Sequence, residues 1–230
     1  MRLLKKNLTN GKILEIGPGN GSFLGKAIKA GYDVDAVEYS KVLAQEMNKQ
    51  LGLKIKSGKF EEQDFNDLKF DAYLSFHVIE HVPDVIAHMK KANDIIRNNG
   101  YAFIATPNVA SWEQKISLGN SPNYCMSHLH LFTKESLSLC LKQTGWNVIH
   151  VSTPSYVSSW PRVITSFMRK YQNRNQSSPR SKSRKNYMIS NNRKIFWAVK
   201  VFDLITKPFR LIQEALHGGN ELFIVAQKTE

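Results

Sequence analysis

Apolar positions along this chain come in short runs that alternate with stretches of helical spacing. Lys12-Ile-Leu-Glu-Ile is an apolar run of strand length, and it leads into Gly17, Gly19 and Gly21. Strands are predicted near 12–17, 33–38, 53–57, 71–76, 100–106, 146–152 and 221–228, and helices near 21–30, 40–51, 84–98 and 134–144. Pro83 suits a first helical turn. Asn99-Gly100 is a helix stop, and Thr133 an N-cap with Ser136 nearby. Strands alternating with helices predict an α/β fold, a mostly parallel sheet with helices on both faces.

The rhythm breaks between the sixth and seventh strands. Residues 172–192 are polar, basic and nearly free of apolar side chains, too little to offset ordering entropy, so a flexible loop is predicted there. Apolar, basic stretches flank it at Val157–Met168 and Ile195–Leu216, and Pro208 is expected to break or kink the second. Charge sharpens this division. The chain of 230 residues carries +13, but residues 1–155 are nearly balanced at +3. Residues 156–217 hold thirteen Lys/Arg against two acids, a net of +11. A core is therefore expected over 1–155, a basic helical insertion over 156–217, and a last core strand within 218–230. Two cysteines, Cys125 and Cys140, form neither a disulfide framework nor a CxxC metal pair. The N-terminus lacks an apolar signal-peptide region, and no apolar run reaches ~20 residues. A cytoplasmic protein is the expectation.

The chemistry begins at the glycine turn. Glycines let a ligand approach the backbone where a Cβ would clash. Glu38 ends the second strand about 20 residues beyond the first glycine, where an acid can grip a ribose diol. The spacing departs from the dinucleotide fingerprint, because the third glycine comes one residue early. Glu15, two residues before the loop, would repel a diphosphate and suits a cationic ligand end. S-adenosylmethionine has an ammonium, a sulfonium and a ribose diol, and no phosphate.

Five segments in order carry a resemblance to a known family: Lys12–Gly21, Phe70–Asp84, Asn99–Asn108, His128–Leu137 and Gly145–Val148. Together they resemble the class I S-adenosylmethionine-dependent methyltransferases, nearest to a subgroup with ubiquinone-pathway and bacterial surface-glycan O-methyltransferases. The resemblance covers about residues 10–153 and the last ten. It implies a Rossmann-like, seven-stranded sheet in which the sixth and seventh strands need only a hairpin; here roughly sixty residues intervene. It implies that Glu15 orients the methionyl end or supports the loop. Gly17, Gly19 and Gly21 would lie against the cofactor, Glu38 would accept the ribose hydroxyls, and Tyr39 and Phe60 would flank the adenine. The family's aspartate for the adenine amine is replaced by Lys59. Phe76 and His77 end the fourth strand on the carboxyl edge, where open α/β sheets bind ligands.

His77, Glu80 and His81 stand at i, i+3 and i+4, which a helical turn would place on one face. His128 and His130 follow on a later loop. Three imidazoles and a carboxylate can hold a divalent metal, and relatives have a similar pattern. The alternative, preferred here, makes these residues acid–base or structural groups, with His81 bonded to Asp84 or backbone. His77, His81 or His130 is then the candidate general base, and Glu80, His128 and Asn108 face the acceptor side. The absence of Asn-Pro-Pro-Tyr points to oxygen over nitrogen. The acceptor expected is a glycan, a lipid-linked saccharide or a hydroxylated small molecule, with 156–217 either capping the active site or meeting an anionic membrane surface as a partner. An RNA methyltransferase and an inactive cofactor-binding accessory subunit are the competing readings.

Overall fold

The computed structural model describes residues 1–117, 125–156 and 193–229. The loop predicted at 172–192 and the stretch 157–168 lie outside the described residues. The chain divides into two compact units, one of Met1–Asn108, Met126–Ser152 and Glu221–Glu230, the other of Val109–Cys125 and Thr153–Asn220.

The first unit is a seven-stranded sheet. Its strands are β1 (Lys12–Ile16), β2 (Asp33–Glu38), β3 (Lys56–Ser57), β4 (Phe70–Phe76), β5 (Ile96–Pro107), β6 (Trp146–Ser152) and β7 (Glu221–Lys228). Their spatial order is β3-β2-β1-β4-β5-β7-β6. The first five run parallel, and β7 lies antiparallel to both β5 and β6. Helices α1 (Arg2–Asn7), α2 (Ser22–Lys29), α3 (Lys41–Leu51) and α4 (Val85–Ile95) belong to this unit. α5 (Trp112–Ser117) belongs to the second unit, and α6 (Lys134–Gln143) returns to the first.

Alternation along each strand feeds two cores. Leu14 and Ile16 join one cluster with Tyr73, Ile79, Met89 and Leu222; Ile13 joins the other with Leu24, Ala36, Leu74 and Val225. Caps follow the local sequence. The Ser40 side chain accepts from Leu43 N, and Gly52 ends α3 at φ 68°. Thr133 and Ser136 form a reciprocal capping box on α6.

Three expectations need correction. Pro83 stands one residue before the cap and outside the first turn of α4, which Asp84 caps, its carboxylate accepting from Ala87 N at 2.9 Å. That helix stops at Ile95 because Ile96 already pairs with Phe70; a register shift follows, with Asn99 at φ 63°, before Tyr101 pairs with Ala72. The third strand shrinks to Lys56–Ser57 at the sheet edge.

In the second unit α7 spans Arg193–Ala215 and runs through Pro208 without ending. Pro208 stands on the exposed side, where water can satisfy the carbonyl it leaves without a donor. The buried side of α7 rests on a polar network. Gln213 donates to Glu113 Oε2 at 2.8 Å and Gly218 O at 2.7 Å, and accepts from Ser155 Oγ at 3.1 Å.

Candidate active site

At the carboxyl edge of the sheet, the turn after β1 puts Gly17, Gly19 and Gly21 at φ 64°, 58° and 69°. A Cβ on Gly17 would stand 2.5 Å from Val78 Cγ2, whereas one on Gly19 would meet nothing within 4 Å. Gly19 therefore fronts open space, as a cradle for a ligand requires. Glu38, buried at the end of β2, fastens this turn: Oε2 accepts from Gly19 N at 3.2 Å and Oε1 from Ser40 N at 2.9 Å. Each oxygen keeps a second lone pair for a diol. Glu15 is 3 % exposed in the middle of the sheet, and its Oε2 has no hydrogen-bond partner. Burial pushes its carboxyl up to about 8.

Beside the turn lies a largely apolar cavity of about 340 Å³, lined by residues that include Gly17, Val37, Tyr39, Phe60, Val78 and His81. Tyr39 projects freely at 74 % exposure, and Phe60 is buried. One lining residue, His88, was not singled out in the sequence reading. His88, fully buried, contacts Glu61 Oε1 through Nδ1 at 2.5 Å and Tyr73 Oη through Nε2 at 2.6 Å. The His88 ring holds the Glu61 carboxyl below its ordinary range. Only the fold brings these three together, since nothing in their spacing joins them. Lys59 instead turns to Glu62 at the surface, 3.1 Å away.

The histidines separate into different environments. His77, at φ 57°, lies between two buried carboxylates: Nε2 is 3.2 Å from Glu221 Oε2, and Nδ1 is 3.5 Å from Glu80 Oε1. Glu221 and then Glu80 raise its pKa to about 10 against desolvation. The ring is an imidazolium at neutral pH and has no lone pair to accept a proton. Glu80 is depressed despite burial, because His77, backbone N–H and the Thr106 hydroxyl favour its charged form. Thr106 Oγ1 donates to Glu80 Oε2 at 3.0 Å.

His81 is tied differently. Its Nδ1 donates to Ser127 O at 2.6 Å, which leaves the Nε2 lone pair 4.0 Å from Glu80 Oε1. The His128 ring stands edge-on to it at 4.8 Å. The backbone N–H groups of Leu129 and His130 both donate to Glu80 O, fastening this loop to the 3-10 turn Ile79–His81. One ligand atom each from Glu80, His81 and His128 lies within 4.8 Å of the others. Glu80 Oε1 thus lies near both His77 and His81, while His77 also pairs with Glu221 and the His81 ring meets His128. His130 turns to Pro83 O at 3.4 Å and stacks on Phe132. Asn108, buried, forms an isolated bridge with Phe132. Phe76 packs between Phe23 and Phe223, outside the cavity lining.

Comparison with known proteins gives the family. Residues 1–151 match the family described as "Methyltransferase domain". The chain belongs to that family, and within it to the class I S-adenosylmethionine-dependent methyltransferases. It is similar to the ubiquinone biosynthesis O-methyltransferase of Pelagibacter ubique, 32 % identical over 112 residues that make up 47 % of each chain. Its counterpart from Azorhizobium caulinodans is 30 % identical over 102 residues, 42 % of this chain and 40 % of that one. The chain spans less than half the length of these curated relatives. Among solved structures, an S-adenosylmethionine-dependent methyltransferase of Thermotoga maritima superposes with a TM-score of 0.61 at 18 % identity, covering 99 % of this chain and 87 % of that one. Haemonchus contortus phosphoethanolamine N-methyltransferase 2, in complex with S-adenosylmethionine, gives 0.59 at 17 %, covering 100 % and 52 %. These identities establish the shared fold.

S-adenosylmethionine is the family's cofactor, and the residues here fit it. The orphaned Glu15 oxygen suits a cationic end, the Glu38 carboxylate a ribose diol, and the apolar cavity beside Tyr39 and Phe60 a purine face.

Proposed function

We propose that this chain transfers the methyl group of S-adenosylmethionine to an oxygen of a hydroxylated acceptor, a glycan, lipid-linked saccharide or small molecule. The observation that carries the reading is His81, whose Nδ1 is fixed on Ser127 O while Nε2 keeps its lone pair beside Glu80. When bound, S-adenosylmethionine supplies a methyl on a sulfonium leaving group, so the chain mainly contributes proximity, orientation and a base. In this reading His81 Nε2 takes the acceptor's hydroxyl proton, and the Glu80 carboxylate stabilises the imidazolium that forms. His77 keeps Glu80 ionised, and Asn108 and His128 face the acceptor. His130 is the second candidate base. Two relatives are named for oxygen methylation in ubiquinone biosynthesis, which supports an oxygen acceptor here.

The test is turnover with hydroxylated acceptors. His81→Ala should lower kcat by about 10²–10⁴ while leaving cofactor binding in place. Undiminished turnover in that variant would remove His81 as the base. An RNA acceptor would instead show steeply salt-dependent RNA retention, and an accessory subunit would bind cofactor without turnover.

A second reading has its own observation, the convergence of Glu80, His81 and His128. These residues would hold a divalent cation, which would lower the pKa of an acceptor hydroxyl. Chelation followed by metal add-back separates the two: loss and recovery of turnover requires the cation, and unchanged turnover in a demetallated sample leaves the base alone.

A further inference from the structure

Over Val201–Leu216, among the described side chains, α7 is amphipathic in the reverse of the usual sense. Its covered side is polar: Gln213 is buried, and Asp203, Thr206, Arg210 and Glu214 are half-buried. At ~100° per residue these five positions share an arc of about 100°. The opposite arc, about 140° wide, is apolar and open. On it Val201, Leu204, Ile205, Leu211, Ile212 and Leu216 are 52, 71, 71, 55, 56 and 64 % exposed. A surface helix ordinarily turns such a stripe toward its core. Here the described contacts of the helix include the Gln213 network, the Arg210–Asp203 pair and the Phe209 ring edge-on to Trp112. An apolar stripe running about 22 Å from Val201 to Leu216 is a feature that marks a binding surface.

Charge identifies the occupant. Residues 156–217, which include this helix, carry thirteen bases and two acids. Lys200 and Lys207 lie along one border of the apolar arc, where a long cationic side chain keeps its stem on hydrocarbon and its head in the polar layer. A second copy packed on the stripe would bring two such basic segments together. A crossing helix is also ruled out by the pattern: among the described residues no helix is long and apolar enough to span a bilayer. We propose that α7 lies flat in the interface of an anionic membrane, apolar arc in the acyl boundary and basic residues on the headgroups. This goes beyond the methyl-transfer reading and does not depend on it.

The experiment is co-sedimentation of the full chain with vesicles of phosphatidylcholine alone or mixed with phosphatidylglycerol. Sedimentation with the mixed vesicles at low salt, weakened by raised salt, is expected, with little on phosphatidylcholine. The triple variant Leu204→Gln, Ile205→Gln, Ile212→Gln removes exposed side chains only. It should keep the wild-type melting temperature and cofactor binding, yet lose about tenfold or more in vesicle affinity. Three outcomes overturn the proposal. The wild type could fail to sediment with anionic vesicles at low salt. The variant could sediment as well as the wild type, which would assign binding to charge alone. The variant could leave vesicle binding intact while abolishing a dimer seen in solution, which would make the stripe a subunit contact.

Discussion

Glu15 holds a proton that water would remove. Its folded pKa of about 8 lies above the ordinary 4.5. Between those values the folded chain binds a proton that the unfolded chain does not, so stability falls as pH rises from about 4.5 to 8. Glu15→Gln should abolish this slope and raise the stability of the cofactor-free chain at pH 7 by on the order of 2–3 kcal/mol. The same variant should weaken cofactor binding, the exchange expected when a destabilised group serves a ligand. Chemical denaturation across pH checks it, and an unaltered slope would refute it. His77 has the opposite sign. Its pKa rises from 6.5 to about 10, so its contribution is complete below 6.5 and is lost as pH climbs through 10. Glu80, depressed, contributes above its ordinary 4.5 and loses that contribution in acid. The pair is therefore strongest between those two ordinary values. His77→Gln should be less stable than wild type there and converge with it above pH 10. The ring is half exposed, so the difference is expected to be modest.

At the scale of the element, the glycine turn separates two costs that one substitution usually mixes. Gly19→Ala meets no atom within 4 Å and carries only the strain of φ 58°, so it should cost folding about 1 kcal/mol while reducing cofactor affinity severely. Gly17→Ala collides with Val78 as well and should lower both. Calorimetry and thermal melts on the two variants check the contrast; equal binding losses at equal melting shifts would remove the cradle. Sheet and helices were largely legible because buried runs and capping residues such as Ser40 and Thr133 act locally. The misses were tertiary. α1 has no side-chain cap to announce it. β5 starts early because Phe70 captures Ile96. α7 passes Pro208 because the affected side faces water.

For the whole molecule, a ligand that binds only the folded chain stabilises it in proportion to occupancy. At a hundred times its Kd, S-adenosylmethionine should add about 2.7 kcal/mol. For a chain of this size that is a rise of about 5–10 °C in Tm. NADH should give none, and the reverse result would contradict the cradle's fit. The glycine turn and the acids beside it could be read from sequence because Glu15, the glycines and Glu38 lie within one strand-turn-helix-strand. The acceptor half could not be fully read. His77 finds Glu221 across 144 positions, and Glu61, His88 and Tyr73 converge from separate elements.

β7 also sets the order in which this sheet can be completed during synthesis. Among the described residues β6 reaches the sheet only through β7, and 68 residues separate Ser152 from Glu221. At roughly 5–20 residues per second, the ribosome takes about 3–14 s to cross that interval. Throughout it β5 and β6 are both made, with the slot between them unfilled and His77 lacking its second carboxylate. Exposed strand edges of this kind invite pairing with other chains. The nascent chain is thus most dependent on chaperones late in translation, when nearly all of its methyltransferase domain has already left the exit tunnel.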